Sequence, residues 1–450
     1  MVGRKPSPLI PKRKKKPAPK PQTAPRAEAT PDTDEELVNR PAPVQRKKQP
    51  SKPRIKRGVK PSAPQEQLST EDKRVLRRRR QRRRLIIRIA ILAAVVTLGV
   101  VVWLNWNVLA PDKVWIWIQD LISGGTGSYP VDLSGTGARR LEQAEGYTVV
   151  LTESHLTYLN GSGAEVSRYG CSYADALMRV EGKYVLVAEQ SGVRLHLSNR
   201  NKVLKEWETK HAIRAVSLNA QGQCAVLTDG PQGYQVQLCV YDEEGTLLYT
   251  RNINRNAMDV ALSPDGSTVS ITTVEATNGT LNTHLEVFST TAGGDALCDY
   301  VAEDILLYRI GYLSGGMVAA VHEQGVVLMD PANGKTTAYT PDRMRVLGYA
   351  ISGNSVALAM RPYGDTAGGE VAVVSASGEE SCCVVFSGEF RHLSGCDGQY
   401  ALLTDGHAYL FSADGSDGRA AVPADGQQVV NAAGKAVVMG RNQLQMFTVK

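Results

Sequence analysis

The sequence contains no Cys-x-x-Cys pair, no His-Glu-x-x-His, no Gly-x-Ser-x-Gly elbow and no phosphate loop ending in Gly-Lys-Ser/Thr. Each of these patterns concentrates metal ligands, a strained nucleophile or a phosphate cradle within one short stretch. Their absence excludes chemistry assembled locally and leaves only sites gathered from distant parts of the chain. The seven histidines, His155, His196, His211, His284, His322, His392 and His407, stand singly. The seven cysteines, Cys171, Cys224, Cys239, Cys298, Cys382, Cys383 and Cys396, form no recognisable disulfide framework. Cys224 and Cys239 fall in neighbouring predicted strands, where they either pair or act as small buried side chains. No catalytic residue, metal or cofactor is assigned.

Charge of each sign is missing from one half of the chain. Residues 1–84 hold 27 of the 52 Lys+Arg, 8 of the 45 Asp+Glu and 14 of the 22 prolines. Residues 111–450 hold 24 Lys+Arg against 37 Asp+Glu, a net of −13. A single soluble globule is excluded, and so is a basic nucleic-acid-binding fold spread along the whole chain. Residues 1–68 have too few apolar side chains to offset their ordering entropy and are expected to form a disordered, Pro/Lys/Arg-rich arm. A basic juxtamembrane helix is expected over 69–84, capped by Ser69. It carries Lys73, Arg74, Arg77, Arg78, Arg79, Arg80, Arg82, Arg83 and Arg84.

Residues 85–106 read as a transmembrane helix. Twenty-two helical residues span roughly 33 Å, enough for the hydrocarbon core. Nine basic residues in 70–84 face Lys113 alone in 107–121, so the positive-inside rule places the arm in the cytoplasm and the C-terminal region outside the cell membrane. The expectation is an uncleaved signal anchor, since 84 residues before the apolar run are too many for a cleaved signal. Trp103 and Trp106 mark the outer interface. Trp115 and Trp117 lie in 107–128, read as an interfacial segment followed by a flexible joint. The nine basic residues suit anionic lipid of the inner leaflet. Sequence-specific nucleic acid is not expected, because residues 1–84 contain no aromatic side chain for base stacking.

From residue 129 onward one element recurs. A short apolar strand ends in Asn, Ser or Asp and runs into a turn, as at Leu159-Asn160-Gly161, Leu197-Ser198-Asn199, Tyr241-Asp242, Phe288-Ser289, Met329-Asp330, Val374-Ser375, Phe411-Ser412 and Phe447-Thr448. The spacing is 36 to 47 residues. An apolar strand precedes each copy, among them Tyr147–Leu151, Val269–Thr273 and Tyr400–Thr404, and a more polar strand follows most. A further strand opens each unit, as at Asp175–Val180, Ile213–Leu218 and Met258–Leu262. Four short strands per roughly 40 residues is the pattern of a propeller blade. The fold expected over 129–450 is therefore all-β, a β-propeller of eight four-stranded blades, with seven as the alternative. The last unit lacks a fourth strand, and Tyr129–Ser134 is expected to supply it, closing the ring and covering an exposed edge.

Val260-Ala261-Leu262-Ser263-Pro264-Asp265-Gly266-Ser267-Thr268-Val269-Ser270-Ile271 resembles the strand–turn–strand signature of TolB-type and WD-repeat-like propellers. The layout as a whole resembles uncharacterised bacterial membrane-anchored propeller proteins with a basic cytoplasmic tail, a resemblance that implies a fold and no activity. Asn160-Gly161-Ser162 and Asn278-Gly279-Thr280 match the glycosylation pattern but read as hairpin turns. Asp414-Gly415-Ser416-Asp417-Gly418 reads as a polar hairpin turn and not as a calcium loop. The functional expectation is a binding or scaffolding module at the cell envelope, with a protein or envelope polymer as partner. The alternative is an envelope enzyme, of lyase, hydrolase or quinoprotein type, with its site on the propeller axis. An enzyme would gather charged side chains on the innermost strands; a binder would expose apolar side chains on one face.

Overall fold

The computed structural model describes residues 127–415 and 417–450. The arm, the juxtamembrane and transmembrane segments, and Trp103, Trp106, Trp115 and Trp117 with the nine basic residues lie outside the described residues. Among the described residues no helix is long and apolar enough to cross a membrane.

Thirty-two strands form eight four-stranded antiparallel sheets. The propeller has eight blades, not seven. In chain order the innermost strands of blades 1 to 8 are Arg140–Ala144, Ala176–Glu181, Ile213–Leu218, Asn256–Leu262, Arg309–Tyr312, Met344–Ser352, Phe390–Cys396 and Gln428–Ala432. Burial sorts the strands of a blade. All five residues of Tyr147–Leu151, second in blade 1, are buried, because a neighbouring blade covers each face. The outermost strand of blade 2, Lys202–Glu208, has no buried residue.

The core is distributed. Eight hydrophobic clusters occur, one at each blade–blade joint. At the joint of blades 5 and 6, Leu313, Val321, Val326, Leu328, Leu358 and Met360 are fully buried. Each such side chain contributes about 1.5–3 kcal/mol of burial, so stability is spread around the ring.

The recurring Asn, Ser or Asp of the sequence marks the turn between third and outermost strands. Asn160 Oδ1 accepts the backbone N–H groups of Ser162 and Ala164, both at 3.0 Å. Asp242 Oδ1 accepts those of Glu244 at 3.1 Å and Thr246 at 2.7 Å. The side chain replaces ladder partners that the turning backbone loses. Asn278 and Gly279, with φ of 54° and 87°, turn the hairpin of blade 4. The strands that flank this turn, Thr268–Thr277 and Thr280–Ser289, run ten residues each, longer than the Val269–Thr273 read from sequence.

Closure is as expected. Val131–Asp132 pairs antiparallel with the third strand of blade 8, Gln443–Thr448, with Val131 opposite Leu444 and Asp132 opposite Gln443. Leu133 N–H continues the ladder to Asn442 O at 2.7 Å. Cys224 and Cys239 are buried and form no disulfide. Cys224 lies opposite Tyr241, and Cys239 lies opposite Val226. The two thiols are diagonal neighbours, farther apart than a disulfide bridges.

Candidate functional site

The innermost strands run parallel to one another, so their ends define two faces. On one face sit the turns from first to second strand. Asn219 Nδ2 of blade 3 donates to Ser263 O of blade 4 at 3.4 Å, and Ser314 N–H of blade 5 to Gly353 O of blade 6 at 2.8 Å. The chain enters the ring on this side, where Tyr129 and Val131 pack against Gly163. The opposite face carries the hairpins between second and third strands and the links from one blade to the next.

Charged side chains interrupt the innermost strands. Glu142 lies in blade 1, Arg179 in blade 2, Asp259 in blade 4, and Arg309 in blade 5. With Tyr349 of blade 6 they converge on the axis. The Arg179 guanidinium acts electrostatically on Glu142, Asp259 and Tyr349. Blades 2 and 6 stand diametrically opposite in an eight-membered ring, so the Arg179 charge reaches Tyr349 across the central channel.

Asp259 is 3% exposed. Its Oδ2 accepts the Ile310 N–H at 3.1 Å, and its Oδ1 lies 3.5 Å from Arg309 Nη1 without a hydrogen bond. Burial raises the Asp259 carboxyl above the usual carboxylate range, and Arg179 and Arg309 oppose the rise. Glu142 keeps partial contact with solvent in the channel yet is enclosed by the ring, and desolvation pushes it up to about 7 against the pull of Arg179 and Arg140. His392 of blade 7 is pushed down to about 4 by burial, with Arg140 adding repulsion, and accepts the Val429 N–H at 3.4 Å. Nearer the turn-bearing mouth, burial and Asp397 raise Glu181, and burial pushes Cys396 up to about 12. The channel therefore has a carboxylate-rich mouth above a centre and lower end rich in guanidinium groups.

Of the seven histidines only His392 lies on an innermost strand; the others are spread over outer positions. Glu142, Arg179, Asp259, Arg309 and Tyr349 were not singled out by motif. Their signal is a charge inside a strand placed innermost by the repeat, as in Ala176-Leu177-Met178-Arg179-Val180.

The hairpin-and-link face is the second candidate. Tyr234 (44% exposed), Leu281 (36%), Leu306 (38%) and Tyr363 (49%) lie along it over blades 3 to 6. Asp304 N–H donates to Leu281 O at 2.8 Å, which brings the Leu306 link beside the blade 4 hairpin. A cleft of about 180 Å³ on blade 8, lined by Pro423, Asp425, Gly440 and Gln443 among others, offers one carboxylate and no converging partner among the described residues.

Residues 129–443 match the family of unknown function DUF5711. The chain belongs to this family. No functionally curated protein matches the sequence. Among solved structures, the DUF5711 chain is similar to BamB from Moraxella catarrhalis at 13% identity and a TM-score of 0.42, covering 71% of this chain and 99% of that one. It is similar to the Pan2 WD40 domain of Neurospora crassa at 9% identity and a TM-score of 0.42, covering 70% and 89%. It is similar to AztD from Citrobacter koseri at 10% identity and a TM-score of 0.43, covering 67% and 89%.

Proposed function

We propose that this DUF5711 protein is a single-pass membrane protein, N-terminus in the cytoplasm, that holds its propeller outside the membrane as a protein-binding module of the cell envelope. The observation that carries the reading is the row of exposed apolar side chains at Tyr234, Leu281, Leu306 and Tyr363. These side chains share one face, opposite the side where residues 127–131 join the ring, and exposed apolar area of this kind marks a contact surface. The net −13 of residues 111–450 suits a protein partner that surrounds an apolar patch with basic residues, and the association weakens as salt rises.

The test is capture from solubilised envelope with the full chain and with a Tyr234→Ser, Leu306→Ser, Tyr363→Ser variant. A partner held by the first, lost by the second and retained by Val385→Ser, which alters an exposed apolar residue on the outermost strand of blade 6, supports the reading. Identical capture by all three overturns it. Protease added to spheroplasts tests the orientation: cleavage of the propeller with survival of the arm is expected.

The axial constellation favours a second reading, an envelope enzyme with its site in the channel. Turnover by the purified protein that disappears in Arg179→Gln would replace the first reading with this one.

A further inference from the structure

We propose that the central channel is a binding site for a small carboxylate that also carries a hydroxyl or amino group, held between Arg179, Arg309 and Asp259. The inference rests on the axial side chains and is independent of the docking face.

Three guanidinium groups, Arg140, Arg179 and Arg309, stand at the axis with two carboxyl groups, Glu142 and Asp259. Three guanidinium groups against two carboxyl groups leave the centre with an excess of positive charge inside a domain that is acidic as a whole. Guanidinium groups gathered in a confined channel repel one another unless an anion lies among them. Their donors are also underused. Arg179 makes a single hydrogen bond, to the Met178 carbonyl at 3.1 Å, and Arg309 approaches Asp259 only to 3.5 Å. A carboxylate accepts two parallel N–H groups from one guanidinium, a pairing that neither Arg179 nor Arg309 makes among the described residues.

Asp259 supplies the second half of the argument. Its carboxyl is almost fully buried, its Oδ2 is satisfied by Ile310, and its Oδ1 accepts nothing. A buried acceptor without a donor is costly. A ligand hydroxyl or ammonium placed next to the ligand's own carboxylate meets that oxygen while the carboxylate meets the arginines. Hydroxy acids and amino acids carry the two groups on adjacent carbons. Tyr349, which lies within the field of Arg309, borders the same space and limits the ligand to a small one.

The experiment is equilibrium binding of malate, aspartate and succinate to the full chain in detergent, at constant ionic strength. Malate and succinate differ by one hydroxyl, so the pair isolates the contact with Asp259. Saturable binding of malate or aspartate is expected, with succinate weaker by about tenfold. Arg179→Gln and Arg309→Gln should each weaken malate by about tenfold or more. Arg168→Gln, which alters an exposed arginine on the outermost strand of blade 1 paired with Glu165, should leave binding unchanged. Asp259→Ala should remove the preference for malate over succinate. If none of the three ligands saturates, or if Arg179→Gln binds malate as wild type does while keeping its melting temperature, the site does not exist. Equal affinity for succinate and malate overturns the role given to Asp259. Because the assay reads binding and not turnover, it separates this site from the enzymatic reading.

Discussion

Gln428 and Leu141 join the last blade to the first. The Gln428 Oε1 accepts the Leu141 N–H at 2.7 Å, and its Nε2 donates to the Arg139 carbonyl at 2.9 Å. The two bonds join residues 287 and 289 positions apart in the chain. Replacing Gln428 with Ala leaves a donor and an acceptor unpaired at a joint where Leu141 is fully buried. The expected cost is about 1–3 kcal/mol, read as a lower denaturant midpoint. Gln428→Glu keeps the acceptor and loses the donor, so an intermediate loss is expected. An unchanged midpoint in Gln428→Ala would show that the joint is held by its apolar cluster alone.

The outer edge of the same blade gives a second prediction. Val131 lies opposite Leu444, and Leu133, 7% exposed, packs into the cluster shared by blades 8 and 1. A chain beginning at Gly137 loses this strand and exposes the edge of Gln443–Thr448. Its melting temperature should fall below that of a chain beginning at Ser123, and it should aggregate through the open edge. Equal melting curves would remove the strand from the account of closure.

Much of this architecture was legible because period-two patterning and turn residues are local properties. The second strands read as apolar runs, and Tyr147–Leu151 occurs with the expected bounds. The Asn, Ser or Asp after each third strand was visible as a repeat; its reason, a side chain accepting turn N–H groups, needed coordinates. The blade count followed from the number of repeat units, and closure from the missing fourth strand of the last one. The axial constellation was not legible. Arg179 and Tyr349 are 170 positions apart, and nothing in their flanks tells which blades face each other. That relation exists only once eight units are set around an axis. The exposed apolar face was hidden for a similar reason, since Tyr234, Leu306 and Tyr363 lie in unlike loops that share nothing except their end of the ring.

Glu142 and His392 give opposite pH dependences on innermost strands that lie two blades apart, on either side of blade 8. Glu142 is raised from 4.5 to about 7. The folded state therefore binds more protons than the unfolded state between these values, and this group's contribution to stability is lost as pH rises from 4.5 through 7. His392 is lowered from 6.5 to about 4, so its contribution is present above 6.5 and lost as pH falls towards 4. The two slopes offset over most of the window. Glu142→Gln removes the falling slope. Relative to wild type the variant should gain stability steadily from pH 5 to pH 7.5, by about 1–3 kcal/mol at the upper end. Chemical denaturation of both proteins at four pH values measures the difference. A difference that stays constant with pH would mean that Glu142 titrates normally and is not enclosed by the ring.

The last prediction concerns the basic segment before the apolar run, whose nine Lys and Arg fall within residues 73–84. If this segment lies on the cytoplasmic leaflet, as the proposed topology requires, its affinity for membrane is electrostatic. Each basic residue near an anionic surface contributes about 1 kcal/mol, and the attraction fades over a Debye length of about 8 Å at physiological salt. A peptide of residues 69–84 should therefore bind vesicles containing phosphatidylserine, bind neutral vesicles far more weakly, and lose affinity progressively as salt rises. Replacing Arg77, Arg78, Arg79 and Arg80 with Gln should remove a large part of the binding energy without altering the apolar run that follows. The same peptide should bind DNA of any sequence alike, since it has no aromatic side chain to stack on a base. Binding of equal strength to neutral vesicles, insensitive to salt, would show that apolar insertion and not charge holds the segment, and would leave the orientation of the protein to be decided by the protease experiment alone.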